Sequence, residues 1–427
     1  MNMHHGPGRQ WMFCIMVLCF VQLNKAQKGD GFIRVDGVKF TLNGVPYYAN
    51  GFNSYWLMTL ASDPNQRSKV VEAFVQAQQY GLTLSRTMAY SDGPGAFSLQ
   101  PNPGQYNENV FQGLDFVVAK AREYGIRLVM SLVDNYADLG GKPQYVAWAR
   151  TNGAAVSSDD DFFRNDICKQ LYKNHVKTML TRVNTITKVA YKDDPTIMAW
   201  ELMNEPRCPS DLSGQTLQDW IAEMASYLKS IDSKHLLEIG MEGFYGASTP
   251  ERLDAGKPYF QVGTDYIANN KIKGIDFATV HSYPDEWCTG STDQVQLKFL
   301  QDWMNNHTED AQNILKMPVV YTEFGTSYRK AVYSVAKRDQ VFSCMYSSIY
   351  SSASNGGAAA GSLFWQLMTT GMTNYGDGYD LVLRESPSTA NIIRQQSQKL
   401  ERIRRKLYME QLKGKKKNRL AKSPLLT

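Results

Sequence analysis

Two glutamates 118 positions apart each close a short apolar run: Glu205 in "AWELMNEPRCP" and Glu323 in "PVVYTEFG". A pair of carboxylates delivered by different strands suits glycoside cleavage. One protonates the leaving oxygen, and the other attacks the anomeric carbon or activates water. Other polar and aromatic residues also fall at the ends of apolar runs: Asn53, Arg86, Asn135, Asn204, Glu242, His281, Tyr283 and Trp365. Such a set supplies hydrogen-bond donors for hydroxyl groups, a cation for a carboxylate, and an aromatic face for a sugar ring. Glu201, four residues before Glu205, points inward on a strand of period two and pairs with an inward arginine, a structural role. Glu242 reads as a surface acid or half of an ion pair. The six histidines are scattered with no HExxH, and no GxSxG elbow has a histidine partner, so metal-dependent and serine-nucleophile hydrolysis are set aside.

Positioning these groups requires a repeated strand–helix unit. "VFQGLDFVVAKAREYG" places Val110, Phe111, Leu114, Val117, Val118 and Ala121 on one helical stripe, with Gly125 as its C-terminal stop. The apolar run Ile126 to Val133 follows at once. Eight such strand runs can be counted: Pro46–Asn53, Leu82–Tyr90, Ile126–Val133, Ile197–Glu205, His235–Glu242, Ile275–Tyr283, Pro318–Gly325 and Ser362–Leu367. Helical patterns separate most of them. Eight βα units predict an α/β chain folded as a single-domain (β/α)8 barrel, whose chemistry sits at the C-terminal ends of the strands. A doubly wound open sheet is disfavoured because no glycine-rich phosphate turn follows the first strand. "SNGGAAAG", Ser354 to Gly361, reads as a short connecting turn.

The 427 residues, 43% of them hydrophobic and 12% aromatic, are enough for one large barrel. Residues 1–26 combine basic positions up to Arg9, an apolar run from Trp11 to Val21, and Ala26 as a small cleavage residue. This pattern predicts a secretory signal, with the catalytic barrel at 27–412 and extracellular localisation. No other run is long enough to cross a membrane. Cys168, Cys208, Cys288 and Cys344 show no metal-ligand spacing and allow zero, one or two disulfides. "NHT" at Asn306 is a glycosylation sequon, which makes the chain a candidate glycoprotein. The net charge of +5 is uneven: residues 400–427 carry +8, leaving −3 for the rest, so nucleic-acid binding is not expected. The basic segment 413–427 is expected to be a disordered tail, with docking on an acidic wall polysaccharide as the alternative.

With the strands placed, "WELMNEPRCPSDLSG" and "YTEFG" resemble glycoside hydrolase family 5, most closely its plant endo-β-1,4-mannanases. The similarity runs from about Gly31 to Gln398 through "GFNSYWLM", "SDDDFF", "SIDSKHLLEIGMEGFYG" and "LRESPST". The resemblance implies endo-hydrolysis of β-1,4-mannosidic linkages in mannan, glucomannan and galactomannan by a retaining mechanism, without a cofactor or a metal. Glu205 would be the acid/base and Glu323 the nucleophile. The charge of Glu323 would raise the pKa of Glu205, while Arg86 and Tyr283 keep Glu323 ionised. Asn204 would grip the 2-hydroxyl, His281 would lie near the leaving-side subsite, and Trp365 would floor the reacting sugar. Asn135 and Met88 complete the substrate-binding set. Met88 replaces the tryptophan of close relatives, and Tyr136 stands where tryptophan is more usual. Mannan transglycosylation and a non-catalytic glycan-binding barrel are the alternatives.

Overall fold

The computed structural model describes residues 30–253 and 260–421; the expected signal segment lies outside them. Eight parallel strands form the barrel: β4 (Ala49–Asn53), β5 (Leu84–Met88), β6 (Arg127–Ser131), β7 (Ile197–Glu201), β8 (Leu236–Glu238), β9 (Ala278–Ser282), β10 (Val319–Phe324) and β11 (Ala359–Phe364). Their hydrogen-bonded order runs β8-β7-β6-β5-β4-β11-β10-β9. Between β8 and β9 the ring closes through single contacts. Asp276 N–H donates to the Leu237 carbonyl (2.8 Å), His281 N–H to the Glu242 carbonyl (3.0 Å), and Met241 N–H to Thr279 Oγ1 (3.0 Å). The expected (β/α)8 class is therefore the observed one.

Most barrel strands are buried along their whole length, as parallel strands covered on both faces must be. Helices supply the outer cover. The one at Glu108–Tyr124 begins where the Asn107 side chain accepts from Asn109 N–H, and ends at Gly125, whose φ of 70° suits glycine. Its buried Val110, Phe111, Leu114, Val117, Val118 and Ala121 are the stripe read from sequence.

A second, smaller core fills the barrel interior. It joins Leu84, Val129, Met198, Val320 and Leu363 to Ile33 and Phe40 of an antiparallel sheet, β1 (Ile33–Asp36), β2 (Lys39–Leu42) and β3 (Val45–Tyr47). Phe40 meets Phe277 edge-on at 5.2 Å. This sheet corrects the expected first strand. Pro46–Asn53 is two elements, with β3 ending at Tyr47 and β4 starting at Ala49.

Three other boundaries move. The last barrel strand starts at Ala359, inside the stretch read as a turn, because its small residues let two backbones meet: a Cβ on Gly361 would lie 2.2 Å from the Ala49 carbonyl. The fourth ends at Glu201, leaving Asn204 and Glu205 beyond it. The final helix runs Pro387–Ala421, through the expected boundary at residue 412; the side chains beyond residue 414 lie outside the description. Cys168, Cys208 and Cys344 carry free thiols. Asn306 of the sequon sits within the helix Asp293–Asp310, its Oδ1 accepting from Arg252 Nη1 at 2.7 Å.

Gly240 ties the barrel to the site. Glu205 N–H donates to its carbonyl at 2.9 Å, its φ is +92°, and an added Cβ would lie 1.9 Å from the Met203 carbonyl oxygen. Gly290 also has positive φ (+81°) but open space around it. Gly240→Ala should therefore cost at least ~2 kcal/mol more stability than Gly290→Ala in denaturant unfolding, because it adds a backbone collision to a similar conformational strain. Equal costs would contradict this close packing.

Candidate active site

Arg86, in the middle of β5, is 1% exposed and makes five hydrogen bonds at the C-terminal mouth of the barrel. Its Nε and Nη2 fork onto Glu201 (2.5 and 2.7 Å), its Nη1 reaches Glu323 Oε1 (2.6 Å) and Asn53 Oδ1 (3.2 Å), and its Nη2 also reaches Asn204 Oδ1 (2.6 Å). Burial opposes the guanidinium charge, yet Glu201 and Glu323 hold its pKa well above the ordinary range. Glu201 is thus the structural partner read from strand alternation. Burial and the charge of Glu201 push the pKa of Glu238 well above the usual carboxylate range.

Glu323 receives a second donor, Tyr283 Oη, at 2.7 Å, and His281 Nδ1 lies 3.5 Å from the same oxygen. Glu205 is held at both ends: His281 Nδ1 is 2.6 Å from Oε1, and Tyr136 Oη donates to Oε2 at 2.9 Å. Glu205, His281 and Glu323 bring ligand-type atoms within 4.8 Å of one another. The backbone of Glu205 has φ +47°, a left-handed conformation that a non-glycine residue adopts at a cost of about 1–3 kcal/mol and that clusters at functional positions.

The electrostatics reverse one expectation. Burial pushes Glu205 up, but the hydrogen bond and charge of His281, with Arg207 and Tyr136, outweigh it and hold the carboxyl down at about 2. Burial instead raises Glu323, with the charge of Glu205 acting in the same direction and His281 and Arg86 only partly opposing. Proximity of the two glutamates alone predicted the opposite. What it left out was His281, whose own pKa burial would lower but which both carboxylates raise. The three groups titrate as one cluster.

Asn204 is oriented from two sides, accepting from Arg86 and donating from Nδ2 to Asp134 Oδ1 at 3.0 Å. Trp365, just past β11 and half-buried, lies nearly parallel to Tyr55 (11°, centroids 6.2 Å), and its Nε1 donates to Asp377 at 2.5 Å. The structure brings Arg86, Asn204, Glu205, His281, Tyr283 and Glu323 into one hydrogen-bonded group, with Trp365 at the same mouth.

Two further sequence candidates lie outside this hydrogen-bonded group. Asn135 Oδ1 accepts from Arg207 N–H (3.2 Å) and so braces the turn carrying Glu205. Met88 is 4% exposed and offers a sugar little surface.

Sequence reasoning missed three groups. Glu242 is half of an ion pair, as one of its two sequence readings had it, but a buried one: it is 4% exposed and accepts two bonds from Arg207 (2.8 and 2.5 Å), and burial and then Glu205 raise its pKa to about 7. Burial raises the pKa of Asp134 to about 7 as well. Tyr136 reads from sequence only as a position where tryptophan is more usual. A polar residue adjacent to a strand-end asparagine was the available signal for it.

Residues 30–379 match the family described as GH family 5 beta-mannosidase-like. Mannan endo-1,4-beta-mannosidase 1 of Oryza sativa subsp. japonica is 56% identical over 400 residues, covering 93% of each chain. Mannan endo-1,4-beta-mannosidase 7 of Arabidopsis thaliana is 56% identical over 391 residues, covering 92% of this chain and 90% of its own. Among solved structures, a glycoside hydrolase family 5 mannosidase from Rhizomucor miehei superimposes with a TM-score of 0.75 at 25% identity, covering 88% of this chain and 100% of its own. The endo-1,4-beta-D-mannanase of Thermotoga petrophila gives 0.71 at 30% identity, covering 82% and 99%. Set beside a (β/α)8 barrel whose mouth holds Glu205 and Glu323 against one histidine, with Arg86 on Glu323, these matches place the chain in glycoside hydrolase family 5.

Proposed function

We propose that the protein hydrolyses internal β-1,4-mannosidic linkages of mannan, glucomannan and galactomannan with retention of configuration, outside the cell after removal of residues 1–26. The carrying observation is the spacing of Glu205 and Glu323, with nearest oxygens inside 4.8 Å. Such closeness suits a nucleophile and an acid/base on one sugar better than the wider gap that an inverting enzyme needs for water. The mannan named in the relatives' descriptions supports the substrate class.

In this reading Glu323 attacks the anomeric carbon while Arg86 and Tyr283 hold its two oxygens and aim it. Glu205 protonates the leaving oxygen. Its proton is one hydrogen bond away, because His281 Nδ1 faces Oε1 at 2.6 Å. A water then enters, Glu205 takes its proton, and the glycosyl ester on Glu323 is cleaved. Asn204 gives one Nδ2 hydrogen to Asp134 and keeps the other for a sugar hydroxyl whose hydrogen bond tightens as the oxocarbenium-like state forms. Trp365 offers an apolar face to the ring.

Glu323→Ala should lose activity that azide restores, giving a mannosyl azide of inverted configuration. Folded protein without rescue would argue against Glu323 as nucleophile. Glu205→Gln should lower kcat/KM on manno-oligosaccharides by roughly 10²-fold or more, yet leave a dinitrophenyl mannobioside nearly unaffected because its leaving group needs no proton. Equal losses would count against the acid role. A panel of mannan, cellulose and xylan tests the substrate class: reducing ends released from mannan are expected, whereas cleavage of cellulose or xylan without mannan overturns it. Binding without turnover, or transfer to added oligosaccharide in place of water, would replace hydrolysis by the non-catalytic or transglycosylase alternative.

A further inference from the structure

Tyr136 sits in the turn after β6, and its Oη donates to Glu205 Oε2 at 2.9 Å. The phenol is held from two directions. Its backbone N–H donates to Asp134 Oδ1 at 3.2 Å, and the Arg207 guanidinium lies 5.8 Å from its ring centroid while clamped to Glu242. With Oε1 facing His281, Oε2 is the oxygen that Tyr136 controls.

We propose that the Tyr136 hydroxyl is a positioning residue for the acid/base carboxyl, fixing Oε2 and stabilising the negative charge that appears on Glu205 when its proton leaves. This rests on the reading of Glu205 as acid/base. The logic is one of donors and acceptors. With the proton of Glu205 on Oε1, the side facing His281, Oε2 accepts from the phenol as a neutral carbonyl oxygen; once that proton leaves, Oε2 belongs to a carboxylate, to which a phenol donates more strongly. The hydrogen bond is therefore stronger after proton transfer than before it, and an interaction that strengthens along the reaction lowers its barrier. In the second step the same bond keeps Glu205 ionised and ready to take a proton from water.

Other groups also bear on Glu205. His281, Arg207 and Tyr136 favour its charged form. Glu323 and Glu242 oppose it across the mouth, and Asp134 and Tyr283 interact with it from the turn after β6 and the end of β9. Removing the phenol hydroxyl changes one of these and leaves the rest in place.

Tyr136→Phe removes that oxygen from a half-buried ring, and thermal melting checks that the fold survives. The expected result is a basic limb of the kcat/KM–pH profile on manno-oligosaccharides moved upward by about half a pH unit or more, because the Glu205–His281–Glu323 cluster that gives up the acid proton has lost a donor to its ionised form. At the optimum, kcat/KM should fall about tenfold on these substrates and much less on the dinitrophenyl mannobioside. Site-specific 3-fluorotyrosine at position 136, a stronger donor, should move the limb downward. A basic limb unmoved in both proteins overturns the inference, as does an equal loss on both substrate types. If Glu205→Gln shows no dependence on leaving group, the acid/base reading itself has failed. If that dependence holds and the limb stays put, only the role of Tyr136 has failed.

Discussion

One buried cation organises this site. Arg86 brings together Glu201, Glu323, Asn53 and Asn204, four residues from three other barrel strands and the turn after one of them. A guanidinium taken wholly out of water needs compensating charge and filled hydrogen-bond geometry, and removing a single partner from such a cluster is costly. Glu201 supplies the permanent counter-charge. The catalytic candidate is thus held by an interaction that the barrel needs in order to bury Arg86 at all.

The second organising group is His281. It lies between the two glutamates and makes their titration collective, so that in the resting protein Glu205 is the more acidic and Glu323 the less. That order suits a waiting enzyme rather than a reacting one. A sugar entering the mouth excludes water and places a glycosidic oxygen beside Glu205, and both changes favour a protonated carboxyl there. The left-handed backbone of Glu205 and the close passage of Gly240 beneath it show the same priority: local conformational cost is accepted where a side chain must point at the substrate.

Much of this was legible in the sequence for identifiable reasons. The helix stripe ending at Gly125 and the apolar run after it follow from periods of 3.6 and 2, so the barrel could be counted. Glu201 could be assigned to an inward arginine because strand alternation fixes its direction. The capping sheet was hidden because β3 and β4 are separated by the single residue Tyr48 and read as one run. Small residues in β11 looked like a turn, although they mark a close approach of two strands. Least legible were Tyr136, Arg207 and Glu242. They lie on turns after different strands, where no period applies, and their meeting depends on how the turns fold over the mouth. The electrostatic order of the two glutamates was misjudged for the same reason, since it depends on a third group between them.

The central claim is that Glu205 and Glu323 act on opposite sides of one anomeric carbon in two successive displacements. The stereochemistry of the first-formed product tests it directly. Proton nuclear magnetic resonance, recorded in the first minutes of manno-oligosaccharide hydrolysis before mutarotation, resolves the new reducing-end anomer. The account predicts that the β-anomer appears first and the α-anomer grows in slowly afterwards. An α-anomer formed first would mean a single displacement by water, and would contradict the assignment of Glu323 as nucleophile.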